Sequence, residues 1–277
     1  MGLYLSAWLN GRATEIIPSS LSVFLPHAVQ PSSRLALTLN SSPVPPGDRR
    51  SHWSSVHCSS HFLLSPCKQE VTRTPAELSS DGVRAEVGVK SGLHVWEVKW
   101  SPEHRGSHAV MGISRQDCPL QASGYNVLLG GDSQSWGWEL KKNQLWHGGQ
   151  TLKPYPSNRK RCPPNIKATE TPLLIPECVL LVLDADAGTL GFVVDGNFLG
   201  VAFKDLPRGV ELFPAVSSVR GGARIRLRYL NGTTRTPPSL MALCGLSIHH
   251  YLGQQRLNQM DKLPLPPALH RYLLSCF

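Results

Sequence analysis

The sequence of 277 residues predicts a mainly β protein, an antiparallel β-sandwich followed by a small α-helical unit at the carboxyl terminus. Two observations predict the sandwich. Glycine (24) and proline (23) interrupt the chain often, and short apolar runs alternate with turn residues through its middle. A third observation predicts the helical unit, because the apolar period lengthens from about two to about 3.6 residues beyond Pro237 and Pro238.

The central strands follow from the apolar runs. Leu93–Trp100 predicts one strand, and the continuously apolar run Ala109–Ile113 predicts a second strand that is buried on both faces. Val179–Asp184 and Thr189–Val194 flank a tight turn, and Asp195-Gly196 closes a further hairpin. No helical crossover separates these strands, so a sandwich or a barrel is expected.

A late strand is predicted by strict alternation of arginine with apolar residues. The apolar members are Ile225, Leu227 and Tyr229, and arginine occupies positions 224, 226 and 228. Side chains two residues apart share one face of a strand. We therefore expect the apolar side chains to face the core and the guanidinium groups to form a solvated outer face.

The carboxyl-terminal region has a helical pattern. Leu240, Leu243, Cys244 and Ile248 form one apolar stripe, with Ser239 as a plausible N-cap. A proline-rich turn and a second short apolar helix follow. A tail this apolar cannot bury itself alone, so it must pack on the sandwich or form an interface with a partner.

The amino-terminal region, residues 1–52, is predicted to be a flexible extension that ends in a linker rich in Pro and Ser. Met1, Gly2 and Ser6 fit the loose pattern for myristoylation. Bulky Leu3 and Tyr4 argue against that modification, and an unmodified start is the preferred interpretation.

The seven cysteines predict a reducing compartment. They are odd in number and widely spaced, and no two of them form a C-x-x-C pair, which argues against a secreted disulfide framework and a zinc ribbon. We expect a cytoplasmic protein in the cytosol. No apolar stretch approaches the roughly 18 residues that a membrane span needs, so no span is expected.

One cluster in the sequence consists of residue types that commonly bind metal ions, namely His52, His57, Cys58 and His61. A structural zinc site needs four ligands, usually from two separated pairs, and this cluster lacks a second pair. We therefore expect neither a metal nor a cofactor.

The sequence indicates neither enzymatic activity nor nucleic-acid binding. The chain has no phosphate loop, dinucleotide fingerprint or nucleophile elbow, so we expect no catalysis. The formal net charge of +9 raises the question of nucleic acid. Much of that charge is concentrated in residues 141–167 and 220–235, and the basic loop 153–167 lacks the interleaved aromatic residues that stack on bases. No nucleic-acid partner is expected.

Several segments together resemble a SPRY domain of the B30.2 type. They are Gly92–Val98, Arg105–Val110, Ser135–Trp138, the hairpins within Leu183–Phe203, and Leu212–Val216. Their order and spacing both match. The resemblance covers roughly residues 53–232 and implies an antiparallel β-sandwich whose loops bind short peptides.

The tail, residues 237–277, resembles a SOCS box. The resemblance assigns Elongin C binding to Leu240, Leu243, Cys244 and Ile248, and assigns cullin binding to Leu263, Pro264, Leu265 and Pro266. A SPRY domain followed directly by both elements is typical of the SPRY domain-containing SOCS box proteins.

This resemblance implies a function. Members of the family are substrate receptors of a cullin–RING ubiquitin ligase, which recruit a target, dock on Elongin B/C and a cullin, and promote proteasomal degradation. The receptor itself performs no chemistry, but raises the local concentration of target lysines. The alternative is a scaffold that binds signalling proteins without delivering them for degradation.

The resemblance also implies a peptide site for acidic, Asn-rich linear motifs. Its residues are Arg73, Pro75, Ala76, Glu77, Leu78, Gly106, Ser107, Tyr125, Val219, Arg220 and Gly221. Three of them depart from the family pattern. Glu77 replaces a small residue, Leu78 replaces a glutamine, and Arg220 replaces a tryptophan. Loss of a hydrogen-bonding residue costs roughly 1 kcal/mol or more, so these departures bear on the peptide preference.

Overall fold

The structure is a computed structural model. It describes Cys244, Ile248 and four ranges of the chain, namely residues 22–45, 47–156, 172–233 and 263–275. Two antiparallel sheets pack face to face and enclose one apolar core. This confirms the predicted class, a mainly β protein built on an antiparallel sandwich.

Among the described residues, the first sheet has eight strands. They are β1 (Trp53–Cys58), β4 (Ser79–Ala85), β6 (Val110–Ser114), β7 (Gln121–Ser123), β8 (Ser135–Glu139), β9 (Gln144–His147), β10 (Gln150–Pro154) and β14 (Phe213–Ser218). Their spatial order is β1-β4-β14-β6-β8-β9-β10, and β7 pairs with β4.

The second sheet has seven strands in the part of the chain that the structure describes. They are β2 (Phe62–Leu64), β3 (Glu70–Arg73), β5 (Leu93–Trp100), β11 (Cys178–Asp184), β12 (Thr189–Val194), β13 (Asn197–Phe203) and β15 (Arg224–Thr233). Their order is β13-β12-β11-β5-β15-β3-β2. The predicted strand at Leu93–Trp100 and the β11–β12–β13 meander are confirmed, while the predicted strand at Ala109–Ile113 is shifted by one residue.

Tryptophan dominates the core between the sheets. Trp53, Trp96, Trp100 and Trp138 are all fully buried. Large aromatic side chains bury 150–250 Å² each, so such a cluster supplies much of the driving force for folding. The alternation in β15 is confirmed, because its apolar members Ile225, Leu227 and Tyr229 join this core while Arg224 and Arg226 are exposed.

Short helices accompany the sheets. They are η1 (Leu25–His27), α1 (Ser33–Asn40), η2 (Arg49–Ser51), η3 (Pro102–His104) and α2 (Pro267–Ser275). Over the described part of the chain, no helix has both the length and the apolar character to cross a bilayer.

The amino-terminal region differs from the predicted flexible linker. Helix α1 begins after Ser32, whose side chain accepts a hydrogen bond from the Leu35 N–H. Leu35 and Leu39 are almost fully buried, and they pack on the outer face of the second sheet against Val95 and Val182. Residues 22–52 therefore belong to the folded body, with residue 46 outside the described residues.

The prediction of a linker was wrong for α1, because a helix of eight residues is too short to show a clear helical periodicity in the sequence. An isolated helix of this length is unstable, so the packing of its apolar face against the sheet stabilises it. Arg34 adds an ion pair to Asp186 (Nη2–Oδ2 2.8 Å) and a hydrogen bond to Thr233 (Nε–Oγ1 3.0 Å). Residues 1–21, with the myristoylation pattern, and the basic patch at 159–161 lie outside the described residues.

Candidate peptide-binding site

Arg73 is the last residue of β3 and lies just ahead of the loop 74–78. Its side chain is fully buried, where it pairs with Asp81 (Nη2–Oδ2 2.7 Å) and donates to the carbonyl oxygens of Ser79 (2.9 Å) and Ala76 (3.3 Å). A side chain with no exposed surface cannot contact a peptide. The prediction that Arg73 binds the peptide directly is therefore corrected. Its role is structural, because it shapes the loop.

Asp81 is the centre of this buried network. Its Oδ1 accepts from the hydroxyls of Ser59 (2.6 Å) and Ser79 (3.1 Å), and lies 3.0 Å from Nδ1 of His61. Burial alone would raise the pKa of the carboxyl, but the hydrogen bonds from Ser59, His61 and Arg73 outweigh it and lower the pKa. Asp81 is thus a charged anchor beneath the loop.

The loop 74–78 presents its side chains outward. Pro75, Glu77 and Leu78 are exposed and Ala76 is half-buried. Leu78 is 67% exposed, and its φ of +48° is unusual for a residue with a Cβ. Its carbonyl oxygen accepts a hydrogen bond from the Gly124 N–H at 2.6 Å, which joins the loop to the segment that carries Tyr125.

Tyr125 lies just beyond β7, which pairs with the start of β4. The Ser80 hydroxyl is 2.8 Å from the carbonyl oxygens of both Gly124 and Asn126, and it accepts from the Asn126 N–H at 2.9 Å. These bonds fix the backbone on either side of Tyr125, whose side chain is 46% exposed. No sequence pattern indicates this role of Ser80, because a single serine in a strand is not distinctive.

Gly106 and Ser107 follow η3. The preceding Arg105 is buried and donates to the carbonyl oxygens of Trp100 (2.7 Å) and Ile175 (2.5 Å). Burial lowers its pKa to about 10, which leaves it charged near neutral pH. Arg105 thereby holds the segment in place, and Ser107 is exposed with its hydroxyl 2.9 Å from Nδ1 of His108.

The third segment, Val219–Gly221, connects β14 to β15 across the two sheets. Val219 is half-buried and Arg220 is exposed. A Cβ built on Gly106 would lie 2.7 Å from Cβ of Arg220, and one built on Gly221 would lie 2.8 Å from Cα of Pro75. Glycine is therefore needed at both positions for the segments to approach this closely.

These contacts bring all four predicted segments to one end of the sandwich. The exposed side chains there include the apolar Leu78 and Tyr125, the acidic Glu77 and the basic Arg220. A surface with exposed apolar groups and both charges on a rigid base is suited to binding a short segment of another protein.

The SOCS box residues are only partly described. Cys244 and Ile248 both have helical backbone, with Cys244 exposed, whereas Leu240 and Leu243 lie outside the described residues. Leu263 and Leu265 are half-buried, and Pro264 and Pro266 are exposed, just before α2. Nε2 of His270 is 2.9 Å from the Leu263 carbonyl oxygen, which ties this segment to the helix.

The histidine and cysteine side chains considered as metal ligands contact other protein groups. His52 lies 3.3 Å from Glu86, His61 contacts Asp81, and the Cys58 thiol faces the Phe62 carbonyl oxygen at 3.9 Å. Among the described residues, no group of three or more His, Cys, Asp or Glu side chains has the arrangement of a metal site.

The fold and its loop site define a SPRY domain, and comparison with protein families agrees. The SPRY domain model matches residues 93–229, and the SOCS box model matches residues 236–274. The chain belongs to the SPRY domain-containing SOCS box proteins. It is 42% identical over 244 residues to SPRY domain-containing SOCS box protein 1 of Homo sapiens, with 87% of each chain covered.

The chain is also similar to a second SPRY domain-containing SOCS box protein and to a solved SPRY domain. SPRY domain-containing SOCS box protein 2 of Rattus norvegicus is 39% identical over 268 residues, covering 95% of this chain and 97% of its own. Among solved structures, the SPRY domain of human HERC1 superimposes with a TM-score of 0.47 at 21% identity, covering 64% of this chain and 97% of its own. The domain pair is that of a substrate-recognition adaptor of a cullin–RING ligase, which implies a non-catalytic role and binding to Elongin B/C and a cullin.

Proposed function

We propose that this protein captures target proteins in the cytosol through a short acidic, Asn-rich linear motif and delivers them for ubiquitination and proteasomal degradation. The motif binds across the loop 74–78, Gly106 and Ser107, Tyr125, and Val219–Gly221. The SOCS box binds Elongin C through Leu240, Leu243, Cys244 and Ile248, and a cullin through Leu263–Pro266.

One observation carries the peptide part of this proposal. Segments that are far apart in the sequence meet at one end of the sandwich, where Gly106 packs on Arg220, Gly221 packs on Pro75, and Leu78 bonds to Gly124. The exposed Arg220 supplies a positive charge for an acidic residue of the motif. The buried Arg73–Asp81 pair makes the loop rigid, which lowers the entropic cost of binding.

The cytosolic location is supported by the thiols. The five described cysteines are free. Burial raises the pKa of Cys58 and of Cys118 to about 11, and that of Cys178 to about 12, so these thiols are largely protonated near neutral pH. Imaging of the tagged full chain tests the location, and retention in the secretory pathway would contradict it.

Co-purification tests the ligase part with two matched variants. The double variant Leu240→Ala, Cys244→Ala should lose both Elongin C and the cullin. The double variant Leu263→Ala, Pro264→Ala should lose the cullin and keep Elongin C. Retention of Elongin C by the first variant at the wild-type level would contradict the assignment.

Calorimetry tests the peptide part. An acidic, Asn-rich peptide should bind the wild type, and Tyr125→Ala should bind at least tenfold more weakly, because an aromatic anchor in a peptide site often contributes more than about 1.4 kcal/mol. Leu152→Ala is the control, since Leu152 is similarly exposed (51%) on β10, outside the predicted site. Absence of heat at high micromolar concentration with the wild type would exclude this motif class.

The alternative, a scaffold that does not promote degradation, predicts a different result in cells. Targets captured by the wild type and lost with Tyr125→Ala would be identified by proximity labelling. If depletion of the protein leaves the half-lives of all those targets unchanged while Elongin C is retained, the scaffold function is favoured.

A further inference from the structure

A second concave site lies on the outer face of the second sheet. It is a groove open to solvent, whose apolar surface is formed by Leu39, Leu180, Val193 and Leu230. Glu97, Cys178 and Arg228 also line it. Its rim includes Asp195 in the turn between β12 and β13. None of these residues belongs to the candidate peptide site, so the groove is a separate feature.

The groove exists because α1 covers only part of an apolar face. Its side chains Leu35 and Leu39 cover Val95 and Val182, and the helix then ends at Asn40. The next row of the sheet pairs Glu97 with Leu180, and Leu180 with Val193. Leu180 remains only partly buried, so apolar sheet surface continues beyond the end of the helix.

The described chain begins at the rim of this groove. Ser22 Oγ lies 3.5 Å from Oδ2 of Asp195 and 3.5 Å from Nδ2 of Asn197. Phe24, two residues later, is buried in the main core and fixes this position. Residue 21, and with it the whole preceding segment, therefore connects to the fold beside the groove.

The composition of residues 1–21 fits an apolar surface. The segment has two charged side chains, Arg12 and Glu15, and its apolar residues include Leu5, Trp8 and Leu9. Twenty-one residues reach up to about 70 Å when extended, far more than is needed to return over a groove at the point of attachment. A tethered segment also binds at high effective concentration, so it has the advantage over a free partner.

We propose that residues 1–21 dock through Trp8 and its apolar neighbours into the groove formed by Leu39, Leu180, Val193 and Leu230. The docked segment continues the cover that α1 begins over the outer face of the second sheet.

Limited trypsin digestion of the full chain tests this proposal, because Arg12 is the single Lys or Arg in residues 1–21. Leu180→Asp places a charge in the groove and should speed cleavage at Arg12 at least tenfold, measured by mass spectrometry. Leu63→Asp is the matched control, since Leu63 is an exposed leucine of β2 outside the groove (60%), and should leave the rate unchanged.

The reciprocal experiment substitutes a residue of the segment and measures how accessible the groove becomes. Cys178 lies on the groove wall, so Trp8→Asp should speed its alkylation at least threefold. Cys118, which is 4% exposed and lies outside the groove in the connection between β6 and β7, serves as the folding control, and its alkylation should stay slow in every variant.

Several outcomes would overturn the proposal. Unchanged cleavage at Arg12 in Leu180→Asp, or unchanged alkylation of Cys178 in Trp8→Asp, means that the segment lies elsewhere. Faster cleavage at Arg256 in place of Arg12 assigns the groove to the carboxyl-terminal tail. A change from dimer to monomer in Leu180→Asp, with no change at Arg12, assigns it to a second copy of the chain.

Discussion

Arg73 and Asp81 form an ion pair with no exposed surface on either side chain, in which Nη2 of Arg73 is 2.7 Å and Nε is 2.9 Å from the same carboxylate oxygen. The pair links the end of β3 in one sheet to β4 in the other. Arg73 also donates to two carbonyl oxygens of the intervening segment. The two residues thus set the shape of a loop whose exposed side chains belong to the candidate peptide site.

Arg73→Met should destabilise the fold strongly. The substitution removes the partner of a buried carboxylate and leaves carbonyl oxygens unsatisfied, which typically costs about 3–5 kcal/mol. Arg226→Met is the control, because Arg226 is exposed on β15, and should change stability by less than about 0.5 kcal/mol. Urea denaturation measures both, and equal effects would refute the structural role of Arg73.

The contribution of Asp81 to stability should depend on pH. Its pKa in the folded state is lowered from the ordinary value of 3.8, so folding favours the carboxylate. That contribution is complete above the unfolded pKa and is lost as the pH falls through the folded pKa. The free-energy difference between wild type and Asp81→Asn should therefore shrink as the pH falls below about 4. Urea titrations across this range measure it, and a difference that grows on acidification would contradict the assignment.

Gly106→Ala should disturb the segment that carries Arg220. The new Cβ would lie 2.7 Å from Cβ of Arg220 in a backbone with φ of +70°. Gly209→Ala is a close control, since Gly209 has the same φ of +70° with no atom within 4 Å of the new Cβ. Gly209→Ala should lower the free energy of unfolding only through its backbone conformation, by about 1–2 kcal/mol. Gly106→Ala should lower it by at least about 1 kcal/mol more. Thermal or urea denaturation of the two variants gives the comparison, and identical losses would show that the contact with Arg220 is unimportant.

Leu35→Ala should destabilise the whole domain although it lies in a region that resembles a linker. Leu35 is 2% exposed in α1, and truncation of a buried leucine costs about 2–5 kcal/mol. Leu37→Ala lies two residues away on the same helix with 43% exposure, and should cost less than about 1 kcal/mol. We expect a single cooperative unfolding transition in both variants. Leu35→Ala should shift it strongly, and Leu37→Ala should not. A separate early transition would mean that α1 folds independently of the sandwich.

The strands were predictable because their pattern is local. The alternation of Ile225 and Leu227 with arginine shows a two-sided strand, and the turn at Asp195 marks a hairpin with no need for distant information. Helix α1 was missed for the opposite reason. Its eight residues are stabilised by contact with Val95 and Val182, far along the chain, and its neighbours Pro31 and Pro43 suggested a linker.

The candidate peptide site also has features that the sequence indicated and features that only the structure revealed. Resemblance to the family pointed to the residues of the site, but only the structure separated their roles. Arg73 is buried beneath the loop, whereas Tyr125 is exposed beside it, and a sequence motif carries no measure of burial. Ser80, which fixes the Tyr125 segment, had no detectable signal because its role depends on hydrogen bonds to residues more than 40 positions away.

The sequence by itself determined the sandwich class, the order of its central hairpins and the membership of the family, because short-range periodicity and motif spacing are properties of the chain alone. The tertiary structure decided which residues meet. It placed Gly106 against Arg220 and Gly221 against Pro75, buried the Arg73–Asp81 pair, and packed α1 onto the second sheet. Those outcomes depend on packing between segments distant in sequence, and the free energy of such contacts is set only when both surfaces are in place.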